Sequence, residues 1–321
     1  MTLLLCLLLS LPLFAQPKLL SVTKIWDQGN HNAFTDLIRF KGAWYCSFRE
    51  ADDHVGGDGR IRILTSRDGA RWTSAAALTE AGIDLRDPKL SIAADNRLMV
   101  VAGGSVYQGT KVLKGRQPRV AFSKDGRNWT APRRVLNEGE WLWRVAWHQG
   151  KAYGVAYNSA ATSDWAVTLY ESADGLDWTA VTPLEVPGRP NETTVRFLPN
   201  GDMVALVRRE AQDKQAWIGL SHKPYKTWTW HPAGHQVGGP NFIVLANGQM
   251  IGGGRDYRNG PPNHTAIGPL TADSYSPQLT LPSSGDNSYP GFVFYKGMLW
   301  TSYYSTHEGK TAIYLAKIRL P

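Results

Sequence analysis

The chain has 321 residues, 42% hydrophobic, 19% charged and 11% aromatic, with 32 Gly, 19 Pro and 13 Trp. That length can bury a large core, its Gly and Pro content is too low for a disordered chain, and the balance suits many short strands joined by tight turns rather than helical bundles. The net charge of +8, from 35 basic and 27 acidic residues, is scattered along the chain, which argues against a nucleic-acid stripe and leaves an acidic glycan or a plain soluble surface to account for it.

In chain order, residues 1–15 (MTLLLCLLLSLPLFA) come first. Leu3 to Phe14 is an apolar run too short to span a bilayer, and Ala15 closes it with a small residue. The segment reads as a cleaved signal peptide, so a secreted or periplasmic protein is expected. Cys6 follows Leu5, not the small residue of a lipoprotein site, so no stable membrane anchor is expected. Cleavage leaves Cys46 alone and allows no intramolecular disulfide. Leu19 to Asp27 reads as a strand.

One unit then recurs: an apolar strand, a tight turn and a second apolar strand. The copies are DLIRFKGAWYCSF, KLSIAADNRLMVV, VAWHQGKAYGVAY, VRFLPNGDMVALV, FIVLANGQMIGGG and FVFYKGMLWTSYY. Their turn residues are Gly42, Asn96, Gly150, Gly201, Gly248 and Gly297, spaced 54, 54, 51, 47 and 49 apart. Gly or Asn there suits a hairpin turn with positive φ. A third strand follows each copy: RIRILTS, RVAFS, AVTLYES, AWIGLS, HTAIG and TAIYLAKI. Three of these run into S-x-D-G-x-x-W, at Ser66 to Trp72, Ser123 to Trp129 and Ser172 to Trp178. There Asp accepts backbone N–H bonds, Gly takes the left-handed position and Trp packs back. Units of about 50 residues with three or four strands are propeller blades. The expectation is an all-β fold, a six-bladed β-propeller of four-stranded antiparallel blades. It forms one domain over 16–321, its ring closed by the strand near 19–27.

If the hairpin turns lie at one end of the channel, residues entering the first strand and leaving the second meet at the other. Entering residues include His31, Asp36, Arg86, Asp87, Arg144, Glu192 and Tyr289; leaving residues include Arg49, Asp53, His54, Arg208, Arg255, Arg258, Tyr304 and His307. Half-buried charges need partners, so an arginine–carboxylate network is one reading. A pocket for an anionic sugar is the other, with guanidinium groups for a carboxylate and carboxylates for acid–base work at a glycosidic bond. No His-Glu-x-x-His pair, zinc-spaced Cys/His cluster or phosphate loop is present, so no metal or cofactor is expected.

The S-x-D-G-x-x-W turns resemble the Asp-box (BNR) repeats of the sialidase superfamily, where Asp68, Asp125 and Asp174 would be structural. NETTVRFLPNGDMVALVRRE resembles the sialidase stretch that carries a glutamate, a turn and a binding arginine. By that resemblance Glu192 polarises the nucleophile and Arg208 binds the substrate carboxylate. DNSYPGFVFYKG is similar to the segment of the nucleophilic tyrosine, which implies Tyr289, with Tyr303 and Tyr304 as rivals. READDHVGGDGRIRILTSRDG resembles the loop of the acid/base aspartate. Asp53 is the choice there; Asp52, His54 and Asp58 are alternatives, and a plain flexible loop or a cation site is another reading. Arg258 or Arg255 would add a binding arginine. The family's Arg-Ile-Pro is replaced by Asn32-Ala33-Phe34-Thr35-Asp36, leaving Arg49, Arg86 or Arg144 to stand in for the first arginine. The resemblance implies a monomeric exo-glycoside hydrolase (exo-α-sialidase-like) that cleaves a terminal acidic sugar, sialic acid or similar, from a glycan, without nucleic acid or cofactor. The alternatives are a propeller hydrolase or lyase on another acidic polysaccharide, in which His31, His54 or His307 acts as base, and a non-catalytic glycan-binding propeller.

Overall fold

A computed structural model describes residues 16–109, 111–159 and 165–321; the expected signal peptide and Cys6 lie outside the described residues. The strands form six separate four-stranded antiparallel sheets. Blade one runs outward from the channel as His31–Phe40, Ala43–Ala51, Arg60–Ser66 and Thr73–Leu78. Blades two to five repeat that meander from inner strands Asp84–Ile92, Glu140–His148, Pro190–Phe197 and Val237–Val244. Blade six runs Asn287–Tyr295, Met298–Ser305 and Ala312–Arg319, and its outermost strand is the N-terminal Lys18–Trp26. That pairing, with Lys18 opposite Arg319, joins the two ends of the chain and covers a sheet edge. Among the described residues no helix is long and apolar enough to cross a membrane.

All six turn residues of the inner hairpins have positive φ, from 61° at Asn96 to 88° at Gly201. The core lies between blades. Trp44 of blade one packs against Trp300 of blade six with ring centroids 4.5 Å apart and planes tilted by 37°. Ile61 and Ile63 of blade one belong to the same buried cluster as Leu98 and Val100 of blade two. Each such side chain contributes about 1.5–3 kcal/mol through removal from water. Cys46 is fully buried in this packing, which pushes its thiol pKa up and leaves it un-ionised.

The three outer turns share one set of bonds. In the first, Asp68 Oδ1 accepts from the N–H groups of Ala70 and Arg71, Ser66 Oγ accepts from Gly69 N at 2.8 Å, and Trp72 Nε1 donates to Gly69 O. The turns at Asp125 and Asp174 repeat it. These aspartates bond their own turns at the periphery, as expected of structural residues. At Ser221 to Trp228 the Asp and Gly are gone, yet Tyr225 takes the left-handed place (φ 65°) and Trp228 Nε1 still bonds its carbonyl at 3.1 Å.

Candidate functional site

Every inner strand bulges at the same height. Two residues face one across the hairpin at Phe34–Thr35, Asp87–Pro88, Trp143–Arg144, Asn191–Glu192, Gly239–Pro240 and Tyr289–Pro290. A bulge bends its strand and re-aims a side chain. Six at one level ring the channel mouth. The first bulge residue is left-handed in four of them: Phe34 (φ 65°), Asp87 (49°), Gly239 (60°) and Tyr289 (53°). For a residue with a Cβ this costs about 1–3 kcal/mol, and such strain gathers at working sites. The surroundings hold it in place. Thr35 Oγ1 donates to Tyr289 O at 2.8 Å, while Asn241 Nδ2 and Arg144 Nη2 donate to Pro290 O at 2.9 and 3.2 Å.

Tyr289 Oη donates to Glu192 Oε1 at 2.6 Å. Glu192 Oε2 accepts from Arg208 Nη1 at 2.9 Å and from Gly239 N at 2.8 Å, and Arg208 Nη1 also reaches Tyr289 Oη at 3.3 Å. Burial alone would raise the Glu192 pKa; the Arg208 charge and these hydrogen bonds outweigh it and hold the carboxyl below its usual range. Burial and the neighbouring Glu192 charge push the Tyr289 phenol well above its ordinary value. Asp87 is half-buried, and burial raises its pKa against the pull of Arg86 and Lys89, with Glu192 adding to the rise. The mouth thus holds two carboxyl groups whose environments drive their titrations apart, the pattern of an acid and base pair. The rings of Phe34 and Trp143 lie 5.0 and 5.7 Å from Tyr289. Lys89 is fully buried among them, 5.0 Å over the Trp143 ring and 5.5 Å over that of Tyr289.

Tyr289, Glu192 and Arg208 therefore meet. Arg255 joins them 5.7 Å over the Tyr289 ring, bonded to Asp286 Oδ1 at 3.1 Å and to Tyr304 Oη at 3.0 Å. The rival tyrosines have other work: Tyr303 Oη donates to Pro282 O, and Tyr304 Oη to Asp286 Oδ1. Arg86 lies against the wall, 5.1 Å over Phe34, with Nη1 on His54 O at 2.8 Å. The remaining expected residues are elsewhere. Asp53 is on the rim with a 65% exposed side chain; its carboxylate faces Lys111 and its own loop, and bonds none of the Tyr289 cluster. Arg258 turns back onto Asp256, 2.7 Å away. Arg49 is wholly buried in a bidentate pair with Asp84, and Arg144 pairs with Asp36 at 2.9 Å beneath the mouth. Both are committed to contacts between blades, which takes them out of the substrate-binding set.

Three site residues had no role in the sequence reading. Asp87 was recognised only as an entering residue. Gly239 is required because a Cβ there would lie 2.7 Å from the Tyr289 ring. Asp286, just ahead of the inner strand, accepts from His31 Nε2 at 3.2 Å and His54 Nδ1 at 2.7 Å. A signal did exist for the bulges: X-Pro recurs at the same place in Asp87-Pro88, Gly239-Pro240 and Tyr289-Pro290, and Pro favours irregular strand positions.

The fold and mouth define a six-bladed β-propeller with an ionisable cluster at one end of its channel. No protein-family model and no curated protein sequence matches the chain. Among solved structures, a protein of unknown function from Dyadobacter fermentans superposes with a TM-score of 0.84 at 21% identity, over 95% of this chain and 100% of that one. An α-L-arabinofuranosidase from Fusarium graminearum, in complex with an iminosugar inhibitor, gives 0.71 at 16% identity over 94% and 98%. Trypanosoma rangeli sialidase, in complex with the inhibitor DANA, gives 0.67 at 11% identity over 96% of this chain and 59% of that one. These likenesses establish the propeller architecture.

Proposed function

We propose that this chain is an exported exo-acting glycoside hydrolase that takes the terminal acidic sugar of a glycan into the propeller mouth. The observation that carries it is the 2.6 Å Tyr289–Glu192 hydrogen bond, flanked by Arg208 and built on bulged strands. Tyr289 Oη attacks the anomeric carbon as its proton passes to Glu192, and Asp87 protonates the departing glycosidic oxygen. Water, deprotonated by Asp87, then hydrolyses the glycosyl–tyrosine bond, and Glu192 returns the proton to Tyr289. A phenol that stays neutral until attack avoids repulsion beside a carboxylate-bearing carbon. Arg208 and Arg255 flank the position of that carboxylate. The tyrosine-centred cluster and the sialidase-like sequence stretches support this reading, as does the shape shared with a sialidase.

A second reading rests on charge. Arg208 is already engaged by Glu192 and Glu210, and Arg255 by Asp286. With both arginines compensated, a neutral sugar such as an arabinofuranose fits, attacked by Glu192 itself with Asp87 as acid. Fluorogenic α-sialosides and α-L-arabinofuranosides separate the two. The first reading expects sialoside hydrolysis that falls about 10³-fold or more in Tyr289→Phe and in Glu192→Gln. The second expects arabinofuranoside hydrolysis that is lost in Glu192→Gln and largely kept in Tyr289→Phe. Folded protein that releases neither aglycone, nor product from a panel of uronic-acid glycans, overturns both.

A further inference from the structure

One cluster at the mouth takes no part in that chemistry. His31 enters the inner strand of blade one, His54 follows the second strand of that blade, and Asp286 precedes the inner strand of blade six. Asp286 is 255 and 232 residues from the two histidines, so tertiary structure alone brings them together. His31 Nε2 and His54 Nδ1 both address Asp286 Oδ2, at 3.2 and 2.7 Å, from imidazole rings at 86° to each other. The three donor atoms all lie within 4.8 Å of one another.

We propose that His31, His54 and Asp286 bind a first-row divalent cation, with Zn²⁺ the best match. Two imidazoles and one carboxylate are the donor set of zinc and its neighbours; calcium and magnesium take oxygen. A tetrahedral ion with bonds of about 2.0–2.1 Å sets its ligand atoms about 3.3 Å apart. The His31–Asp286 spacing already matches. His54 must open by about half an ångström to reach that spacing, and it can: its side chain is 46% exposed, on a loop that carries Gly56 and Gly57 at positive φ. The supporting contacts of the carboxylate are in place. Asp286 Oδ1 is held by Tyr304 Oη at 2.8 Å and Arg255 Nη2 at 3.1 Å, which leaves Oδ2 for the ion and orients the carboxylate. Phe34 packs edge-on against His54 at 5.4 Å and walls the cluster from Tyr289. Three protein ligands leave a coordination position on the exposed His54 side, open to an oxygen of water or of a bound sugar. Spacing rules in the sequence could not reveal the site, because no two ligands share a short motif.

The test reads binding, so its outcome is independent of the glycosidase reading. Chelator-treated protein is titrated with Zn²⁺ by calorimetry and with Co²⁺ by visible absorption. The expected result is one ion per chain, a micromolar or tighter dissociation constant and the intense d–d bands of a four-coordinate cobalt site. His54→Gln, on the exposed loop, and Asp286→Asn should each weaken binding 10–100-fold or more, while Asp95→Asn, at the blade-two hairpin turn at the far end of the channel, leaves it unchanged. Absence of saturable binding to the folded wild type overturns the proposal. So does binding that survives both His54→Gln and Asp286→Asn in variants whose melting temperatures show them folded.

Discussion

The two ends of the propeller channel are built from the same strands by opposite means. At the turn end, a left-handed position carries Gly in five blades and Asn in one, and the residue before the glycine is left-handed too at Lys41, Gln149 and Lys296. At the mouth, the same backbone condition falls on Phe34, Asp87 and Tyr289, with glycine only at Gly239. Left-handed side chains stay exposed where the chain merely reverses, as at Lys41, Gln149 and Lys296, and are buried or half-buried where they must be aimed into the mouth. The charges differ as well. The outer-turn aspartates satisfy their own backbone, whereas Glu192 bonds Arg208 of its own blade and Tyr289 of blade six, and Arg255 of blade five bonds Asp286 just ahead of blade six. Position along one strand thus separates residues that make the fold from residues that use it.

Asp87 gives the sharpest way to break that contrast. If it is the proton donor, Asp87→Asn lowers turnover about 10²–10⁴-fold. The pH profile fixes the sign. Asp87 must be protonated, and its raised pKa means activity is lost as pH climbs through that value. Glu192 must be ionised, and its lowered pKa means activity is lost as pH falls through it. The wild type should therefore show a bell, and the residual rate of Asp87→Asn should lack its alkaline limb. An unchanged alkaline limb in that variant would falsify the assignment.

Gly239→Ala comes next. The new Cβ meets the Tyr289 ring at 2.7 Å on a backbone with φ of 60°, so the ring must move off Glu192. We expect a loss of about 1–3 kcal/mol in stability and at least a tenfold fall in kcat, since small misplacements at reacting groups are costly. Thermal unfolding and kinetics on the same sample show whether the two losses travel together. Normal turnover would mean that the mouth tolerates what its close packing forbids.

Most of the architecture was legible because hairpins, turn residues and the S-x-D-G-x-x-W turns are local signals. Gly42 and its equivalents, Trp72 and its equivalents, and the closing strand all lie where pattern and turn chemistry put them. Glu192, Arg208 and Tyr289 were singled out by the resemblance of their stretches to those of sialidases, and the structure brings the three side chains together. The pairs of Arg49 with Asp84 and of Arg144 with Asp36 were not legible because the partners come from other blades, the second and the first, and no pattern along one strand reports a contact across two. Asp53 misled because an acidic Gly-rich loop reads alike whether its carboxylates face inward or out. The bulges shift the strand register within each inner strand, which is why Tyr289 could not be separated from Tyr303 and Tyr304 by alternation alone.

Lys89 tests the interior between the two ends. Burial, helped by the nearby Arg144 charge, drives its pKa down to about 7 from an ordinary 10.5. Between those values the unfolded chain holds a proton that the native chain does not, so this group makes stability rise with pH across that window; below about 7 its cost is present in full. Lys89→Met removes the cost. Its melting temperature should exceed that of the wild type most at about pH 6 and least at about pH 9, as the linkage predicts. A gain independent of pH would place the effect in packing rather than in charge.

Ser66→Ala probes the outer end and should have the smallest effect. Its hydroxyl accepts from Gly69 N at 2.8 Å and donates to Asp68 at 3.0 Å in a turn remote from the mouth. Losing it leaves a buried N–H without that acceptor, a cost of about 1–2 kcal/mol. Melting should shift accordingly while kcat and KM stay at their wild-type values, because rigid blades of independent hydrogen-bonded sheets do not pass a lost turn bond to the channel. A fall in kcat matching that of Gly239→Ala would show the opposite: that the outer turns help hold the inner strands in their strained geometry, and that the two ends of each blade act as one unit.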